Sequence, residues 1–284
     1  MKVNLFIVGT PKSGTTSLHH YLNEFPEILM SIRKEPDFFS HREIQEQGLY
    51  YGTSRINTLS KYNSLFSSWT DESIIGEASV SYLFYPDVPE RIKLYNENSK
   101  IIIMLRDPIE RAFSHYLMDY RLGLTSDTFE EEFDKKNTLN FQQYFLLGNY
   151  FHQVKRYLDI FGKENVHIIW YSDFKENTAN ELNKVISFLE INTDFRVDFN
   201  KVHNSFSMPK NNFIRKIYSI VWLRKTLSFL LPENLLIYIK TVLFNKVNKP
   251  KLSERTRELL YEYYLPDIQS LEKLLSVNLS QWKK

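Results

Sequence analysis

Val3-Asn4-Leu5-Phe6-Ile7-Val8-Gly9-Thr10-Pro11-Lys12-Ser13-Gly14-Thr15-Thr16-Ser17-Leu18 is the stretch that decides the fold. A short apolar run, Val3–Val8, passes directly into a loop with two glycines five residues apart, and helical periodicity follows from Thr15 to Glu24. A strand, a tight glycine turn and a helix N-terminus together make an anion cradle. Backbone N–H groups converge on the ligand, and the helix dipole favours negative charge. In open α/β sheets such a cradle sits at the carboxyl edge, where nucleotides bind. A loop built for nucleoside triphosphates ends in Gly-Lys-Ser/Thr. Here Thr15 follows Gly14, and the lysine comes earlier, at Lys12. The loop is therefore expected to hold a nucleotide 5′-phosphate without hydrolysing a triphosphate. The plainer reading is a generic glycine turn with a solvated lysine.

Three further β-rich runs lie downstream, at Ser73–Ile75, Lys100–Leu105 and Val166–Trp170. Helical patterns cover Val88–Tyr95, Pro108–Arg121, Phe141–Phe161, Ala179–Leu189 and Glu254–Leu275. Strands alternating with helices predict an α/β fold: a P-loop-like central parallel β-sheet flanked by helices, with a helical C-terminal region. Asp107-Pro108-Ile109-Glu110 carries the start signal of a helix, an N-cap acid followed by Pro at the first position. Ser253-Glu254-Arg255-Thr256 is a weaker version. Ser31–Ser73 is polar and lacks periodicity, which suggests a functional loop or substrate-facing insertion.

A second anion anchor is expected after Lys100–Leu105. Arg106 ends that strand beside a helix N-terminus, and Ser114 lies about two helical turns beyond Asp107. A guanidinium and a hydroxyl there suit one more phosphate, the arginine giving forked hydrogen bonds. Arg111 and His115 read as solvated helix positions without a role. His19 and His20 are expected to pack or face solvent, and Phe38 and Phe39 to fill the core.

Taken in order along nearly the whole chain, these blocks resemble the sulfotransferase superfamily, whose donor is 3′-phosphoadenosine 5′-phosphosulfate (PAPS). Thr10–Leu18 is similar to its 5′-phosphosulfate loop, and Leu105–Pro108 through Ser114-His115-Tyr116 to its 3′-phosphate motif. Lys34-Glu35-Pro36-Asp37-Phe38-Phe39, Gly76–Leu83, Gly148-Asn149-Tyr150 and Leu265-Pro266-Asp267 are similar to the carbohydrate and heparan-sulfate branch and its bacterial relatives. The resemblance implies that Lys12, Ser13, Gly14, Thr15 and Thr16 hold the 5′-phosphosulfate, and that Arg106 and Ser114 hold the 3′-phosphate. It also implies that Tyr150 lies along the nucleotide, that Lys210 closes over the 3′-phosphate, and that Glu35 is the general base. Lys12 would stabilise the leaving oxygen, where charge grows as the S–O bond breaks. Glu77 is the rival base. The heparan-type pattern has a lysine where this chain has Ala78, so either Lys12 acts alone or Lys34 substitutes. The histidine base of the cytosolic small-molecule branch has no counterpart here. No metal is expected, and adenosine 3′,5′-bisphosphate is the expected product.

Composition narrows the partners. The 284 residues suit one domain spanning 1–284, and 43% apolar content fills a core. There is no cysteine, which excludes disulfides, thiolate metal sites and cysteine nucleophiles. The net charge is +2, little for a nucleic-acid coat, so no nucleic-acid partner is expected. That balance hides a segment, Pro209 to Lys251, with nine Lys/Arg against Glu233 alone, a local +8. Residues 204–250 are expected to form a basic helical lid over the substrate, with peripheral membrane contact through 209–251 as a second use. No apolar run reaches 18 residues, and Val3–Val8 is too short for a signal core. These features point to a stand-alone cytoplasmic domain acting on a glycan or small-metabolite hydroxyl or amine. Competing readings are a P-loop kinase or NTPase, and a non-catalytic nucleotide-binding membrane-peripheral protein.

Overall fold

Strand β1 (Leu5–Gly9) is the centre of the sheet because its alternate side chains feed two different cores. Phe6 and Val8 pack on one face, Leu5 and Ile7 on the other. β4 (Lys100–Leu105) divides the same way, with Ile101, Ile103 and Leu105 opposite Ile102 and Met104. A strand buried on both faces belongs to a parallel sheet covered by helices. The computed structural model describes residues 2–49, 56–195, 197 and 249–283, together with 208–209, 220, 235 and 243–245.

β1 pairs with β3 (Ile74–Ala78) on one side and β4 on the other, all parallel. β2 (Ile28–Met30) and β5 (Val166–Trp170) complete the edges, giving the order β2-β3-β1-β4-β5. β2 is not evident from the sequence. Its three residues lie between a turn and Ser31, and only pairing with β3 makes them a strand.

One face carries α1 (Thr15–Leu22) and α10 (Thr178–Phe188). The other carries α4 (Val88–Tyr95), α5 (Pro108–Leu122), α8 (Tyr150–Phe161) and the last helix, α11 (Glu254–Leu275). Four shorter helices join them: α2 (His41–Gln47), α3 (Leu59–Asn63), α6 (Phe129–Asp134) and α7 (Leu139–Tyr144), with α9 (Tyr171–Glu176) directly after β5. The stretch expected to be an irregular loop, Ser31–Ser73, thus contains α2 and α3. The expected caps form: Asp107 accepts from the N–H groups of Ile109 and Glu110, and Ser253 from Thr256.

The helix expected over Phe141–Phe161 is broken. α7 ends at Tyr144, a single 3₁₀ turn covers Leu146–Gly148, and α8 starts at Tyr150. Gly148 packs so closely on Tyr264 that a Cβ would sit 2.8 Å from its hydroxyl oxygen. Tyr264 in turn donates to the carbonyl of Phe145 at 2.9 Å. Asp267, from α11, caps the new helix by accepting from the N–H groups of Tyr150 (2.7 Å) and Phe151 (3.1 Å).

Beneath the carboxyl edge, Glu77 is fully buried and accepts from the hydroxyls of Tyr62 (2.8 Å), Tyr82 (2.9 Å) and Ser79 (2.7 Å). Replacing Glu77 with Ala leaves three buried hydroxyls without their acceptor, an expected loss of about 3 kcal/mol in urea unfolding. Burial, partly offset by those donors, raises its carboxyl to about 7. A folded carboxyl that binds its proton more tightly than the unfolded chain's loses stability as pH rises from about 4.5 through 7. Glu77→Gln is expected to remove part of that pH dependence from the denaturation midpoint.

Candidate active site

The strand order places the chemistry. Reading along the carboxyl edge, the segment after β2 brings Lys34, Glu35 and Asp37, and the segment after β3 brings Val80 and Ser81. The turn after β1 brings Lys12 to Thr16, β4 leads to Arg106 and Ser114, and β5 leads to Tyr171. These residues, Ser13 apart, line one cavity of about 780 Å³, a size suited to a nucleotide-sized ligand.

The loop between β1 and α1 is tightly held. Gly14 is the N-cap at φ 90, a left-handed geometry in which a side chain is strained, and a Cβ there would press on the Tyr171 ring at 3.3 Å. The Thr10 and Ser13 hydroxyls bond each other at 2.6 Å, so Ser13 is turned into the loop while Gly14, Thr15 and Thr16 face the cavity. No side chain caps α1, and its first turn carries no acid. Its leading N–H groups are therefore available to an anion.

Lys12 also lies in left-handed backbone, at φ 69. Arg106 fixes it there, donating from Nη1 to the Lys12 carbonyl at 2.8 Å while its guanidinium lies 4.6 Å over the Tyr171 ring. The Lys12 ammonium meets only the Met118 sulfur, at 3.4 Å, and among the described residues it has no carboxylate in ion-pair reach. Burial, then Arg121, and also Arg106 and Lys249, lower it to about 8, with Asp119 opposing. A buried cation with no carboxylate in reach among the described residues, beside an uncapped helix N-terminus, fits a polyanion such as the phosphosulfate end of a nucleotide.

Glu35 and Asp37 are the other strained positions, at φ 59 and 52. Of the five non-glycine residues with positive φ among those described, these two and Lys12 line the cavity, so the strain concentrates at the site. The Glu35 N–H donates to the Ala78 carbonyl (2.9 Å), its Oε2 accepts from the Val80 N–H (2.9 Å), and its Oε1 pairs with Lys34. The sequence assigns Asp37 no role. It is almost fully buried, accepts from the Ser81 hydroxyl at 2.7 Å, and is raised to about 7 by burial and then by Glu35. Phe38 stacks on Tyr62, and Phe39 is buried, as expected.

One expectation is corrected. Arg111 and His115 are not solvated; both are buried, Arg111 completely. The break between α7 and α8 frees main-chain carbonyls. Gln143 and Tyr144 accept from Arg111 Nη2, and the Gln143 carbonyl faces His115 Nδ1 at 3.1 Å, making Nδ1 the protonated nitrogen. His115 lines the cavity, and burial, Arg111 and Lys12 hold it well below the usual histidine range, so it is neutral at pH 7. Tyr150 does not line the cavity. It is buried against Trp282 and supports Arg106 from below, its hydroxyl donating to the Arg106 carbonyl at 2.9 Å. Lys210 lies outside the described residues. Missed by sequence reasoning was a clasp behind Arg106: Glu110 binds Arg257 from α11, Lys249 at 2.9 Å and Arg106 at 3.6 Å.

Comparison with known proteins agrees with this geometry. The sulfotransferase domain family matches residues 2–225. The chain belongs to the sulfotransferase family. A sulfotransferase of known crystal structure from Alicyclobacillus acidocaldarius is similar over 100% of both chains, with 29% identity and a TM-score of 0.76. Human carbohydrate sulfotransferase 15 is 27% identical over 244 residues, 66% of this chain and 44% of its own length. Human heparan sulfate glucosamine 3-O-sulfotransferase 3B1 is 27% identical over 202 residues, 69% of this chain and 48% of its own. This sulfotransferase therefore spans less than half the length of those two curated relatives. No helix among its described residues is long and apolar enough to cross a membrane.

Because Lys12 sheds its proton near pH 8, anion binding is expected to restore it. Calorimetry of adenosine 3′,5′-bisphosphate in buffers of different ionisation enthalpy is expected to show greater proton uptake at pH 8.5 than at 6.5. Lys12→Arg is expected to abolish that difference, since arginine stays charged.

Proposed function

We propose that this chain transfers the sulfuryl group of PAPS to a hydroxyl or amine on a glycan or small metabolite. The observation that carries the reading is the order along the sheet edge. A carboxylate stands on one side of Lys12 and the Arg106–Ser114 anchor on the other, all facing one cavity. PAPS, when bound, supplies the activated sulfuryl group. Lys12 to Thr16 hold the 5′ end, Arg106 and Ser114 the 3′-phosphate, and Lys12 stabilises the charge that grows on the leaving oxygen. Glu35 takes the acceptor's proton. Glu35 is favoured over Glu77 because it lines the cavity, whereas Glu77 is sealed beneath it by three hydroxyl donors.

The glycan branch is supported by the blocks shared with carbohydrate and heparan-sulfate enzymes and by the names of the relatives above. The pattern's missing lysine finds a substitute in Lys34, which lines the cavity beside Glu35. Lys210 and the basic lid over 204–250 complete the donor site in this reading; that segment lies largely outside the described residues, among which Met208 pairs antiparallel with Asn245. The reading places the enzyme in the cytoplasm, where the cysteine-free chain depends on no disulfide.

Thermal shift tests the donor. Adenosine 3′,5′-bisphosphate at about 100 times Kd, without magnesium, is expected to raise Tm by about 5 °C, and ATP by much less. The reverse order would favour an NTPase. Glu35→Gln is expected to lower transfer at least 100-fold while keeping bisphosphate binding, read with an acceptor panel by mass spectrometry. Retained transfer would move the base elsewhere.

A further inference from the structure

Asp37 is a buried carboxyl that the roles assigned above leave unused. It and Glu35 flank Pro36, both in left-handed backbone, and residues i and i+2 line the same cavity. Each is fixed separately. Asp37 donates its N–H to Ser79 Oγ at 3.0 Å and accepts from Ser81 Oγ, which contacts Ser40 Oγ at 2.8 Å. Glu35 is held by the main chain of Ala78 and Val80. The chain thus adopts strained backbone at both acidic residues beside one cavity, where stored strain is characteristic of a functional site.

We propose that Asp37 is a positioning residue for Glu35, a buried second carboxyl whose negative charge strengthens Glu35 as a proton acceptor. This rests on Glu35 being the base. In the step, the acceptor O–H bond breaks and its proton passes to the Glu35 carboxylate. The new O–S bond forms, and the old S–O bond leaves its electron pair on the nucleotide oxygen. Asp37 gains and loses nothing. Its charge repels the Glu35 carboxylate but not the neutral acid, so proton uptake is favoured as transfer proceeds.

The groups facing Asp37 are Glu35, Arg33 and Lys34 on its own segment, Ser81 and Glu77 from the β3 side, and the phenols of Tyr82 and Tyr85. Glu77 titrates in the same range as Asp37, so the measurement must resolve individual residues.

Carboxyl ¹³C NMR on the full chain, without ligand, gives that resolution. Asp37 is expected to titrate near pH 7, and Glu35→Gln to weaken its proton binding at least tenfold. An Asp37 midpoint unmoved by Glu35→Gln, or lying near pH 4 in the native chain, overturns the proposal. Ser81→Ala supplies an independent variant: losing its donor is expected to move the Asp37 midpoint upward.

Sulfate release from PAPS, with water as the probe acceptor, reads the pair in turnover. The native rate is expected to rise through pH 7. Asp37→Asn is expected to flatten that rise and lower kcat about tenfold at pH 8, with bisphosphate affinity kept within twofold. A rise that persists in Asp37→Asn overturns the proposal. Full turnover in Glu35→Gln instead overturns Glu35 as base, while the NMR coupling is judged separately.

Discussion

The hydrogen bond from Arg106 to the Lys12 carbonyl is the contact on which the site depends. It spans the ends of two adjacent parallel strands, so it forms only because β1 and β4 stop side by side. It holds Lys12 in a backbone conformation that an L-residue avoids, its ammonium beside the cavity with no carboxylate in ion-pair reach among the described residues. The same guanidinium lies over Tyr171 and contacts Glu110, while Tyr150 braces its main chain. A single side chain thus connects the loop after β1, the start of α5 and the residues packed beside them. An arginine suits this position because its planar fork serves several partners at once and its charge survives burial.

How much of this was legible in the sequence follows from how local each cause is. β4 and β5 match the expected ranges because each is a continuous apolar run with a clear end. The Gly9-to-Gly14 loop was visible because strand, glycines and helix are contiguous. The break in Phe141–Phe161 was not, because the periodicity runs on through it. What interrupts it is Tyr264, more than 100 residues away, pressing on Gly148. Arg111 and His115 were misplaced for the same reason, since the carbonyls they meet exist as free acceptors only once that helix is broken. Asp37 was hidden because its burial depends on Ser79 and Ser81, about 40 residues on in the chain.

The electrostatics divide along the sheet. Toward β1 and β4 the cavity is lined by Lys12 and Arg106, and burial holds Lys12 below its ordinary range. On the β2 side stand the carboxyls of Glu35 and Asp37, the first paired with Lys34 and the second raised by burial and a like-charged neighbour. The proposed transfer, which binds a polyanion at one end and removes a proton at the other, is served by this separation.

The clasp behind Arg106 bears on how the protein is made. Glu110 meets Arg257, and the start of α8 meets Asp267, across sequence separations of 147 and 117 residues. During synthesis Glu110 and the start of α8 leave the ribosome long before the helix that braces them. Until α11 emerges, both lack these partners. The two halves of each contact are thus separated in time on the ribosome, and the setting of Arg106 is completed by residues translated more than 100 positions later.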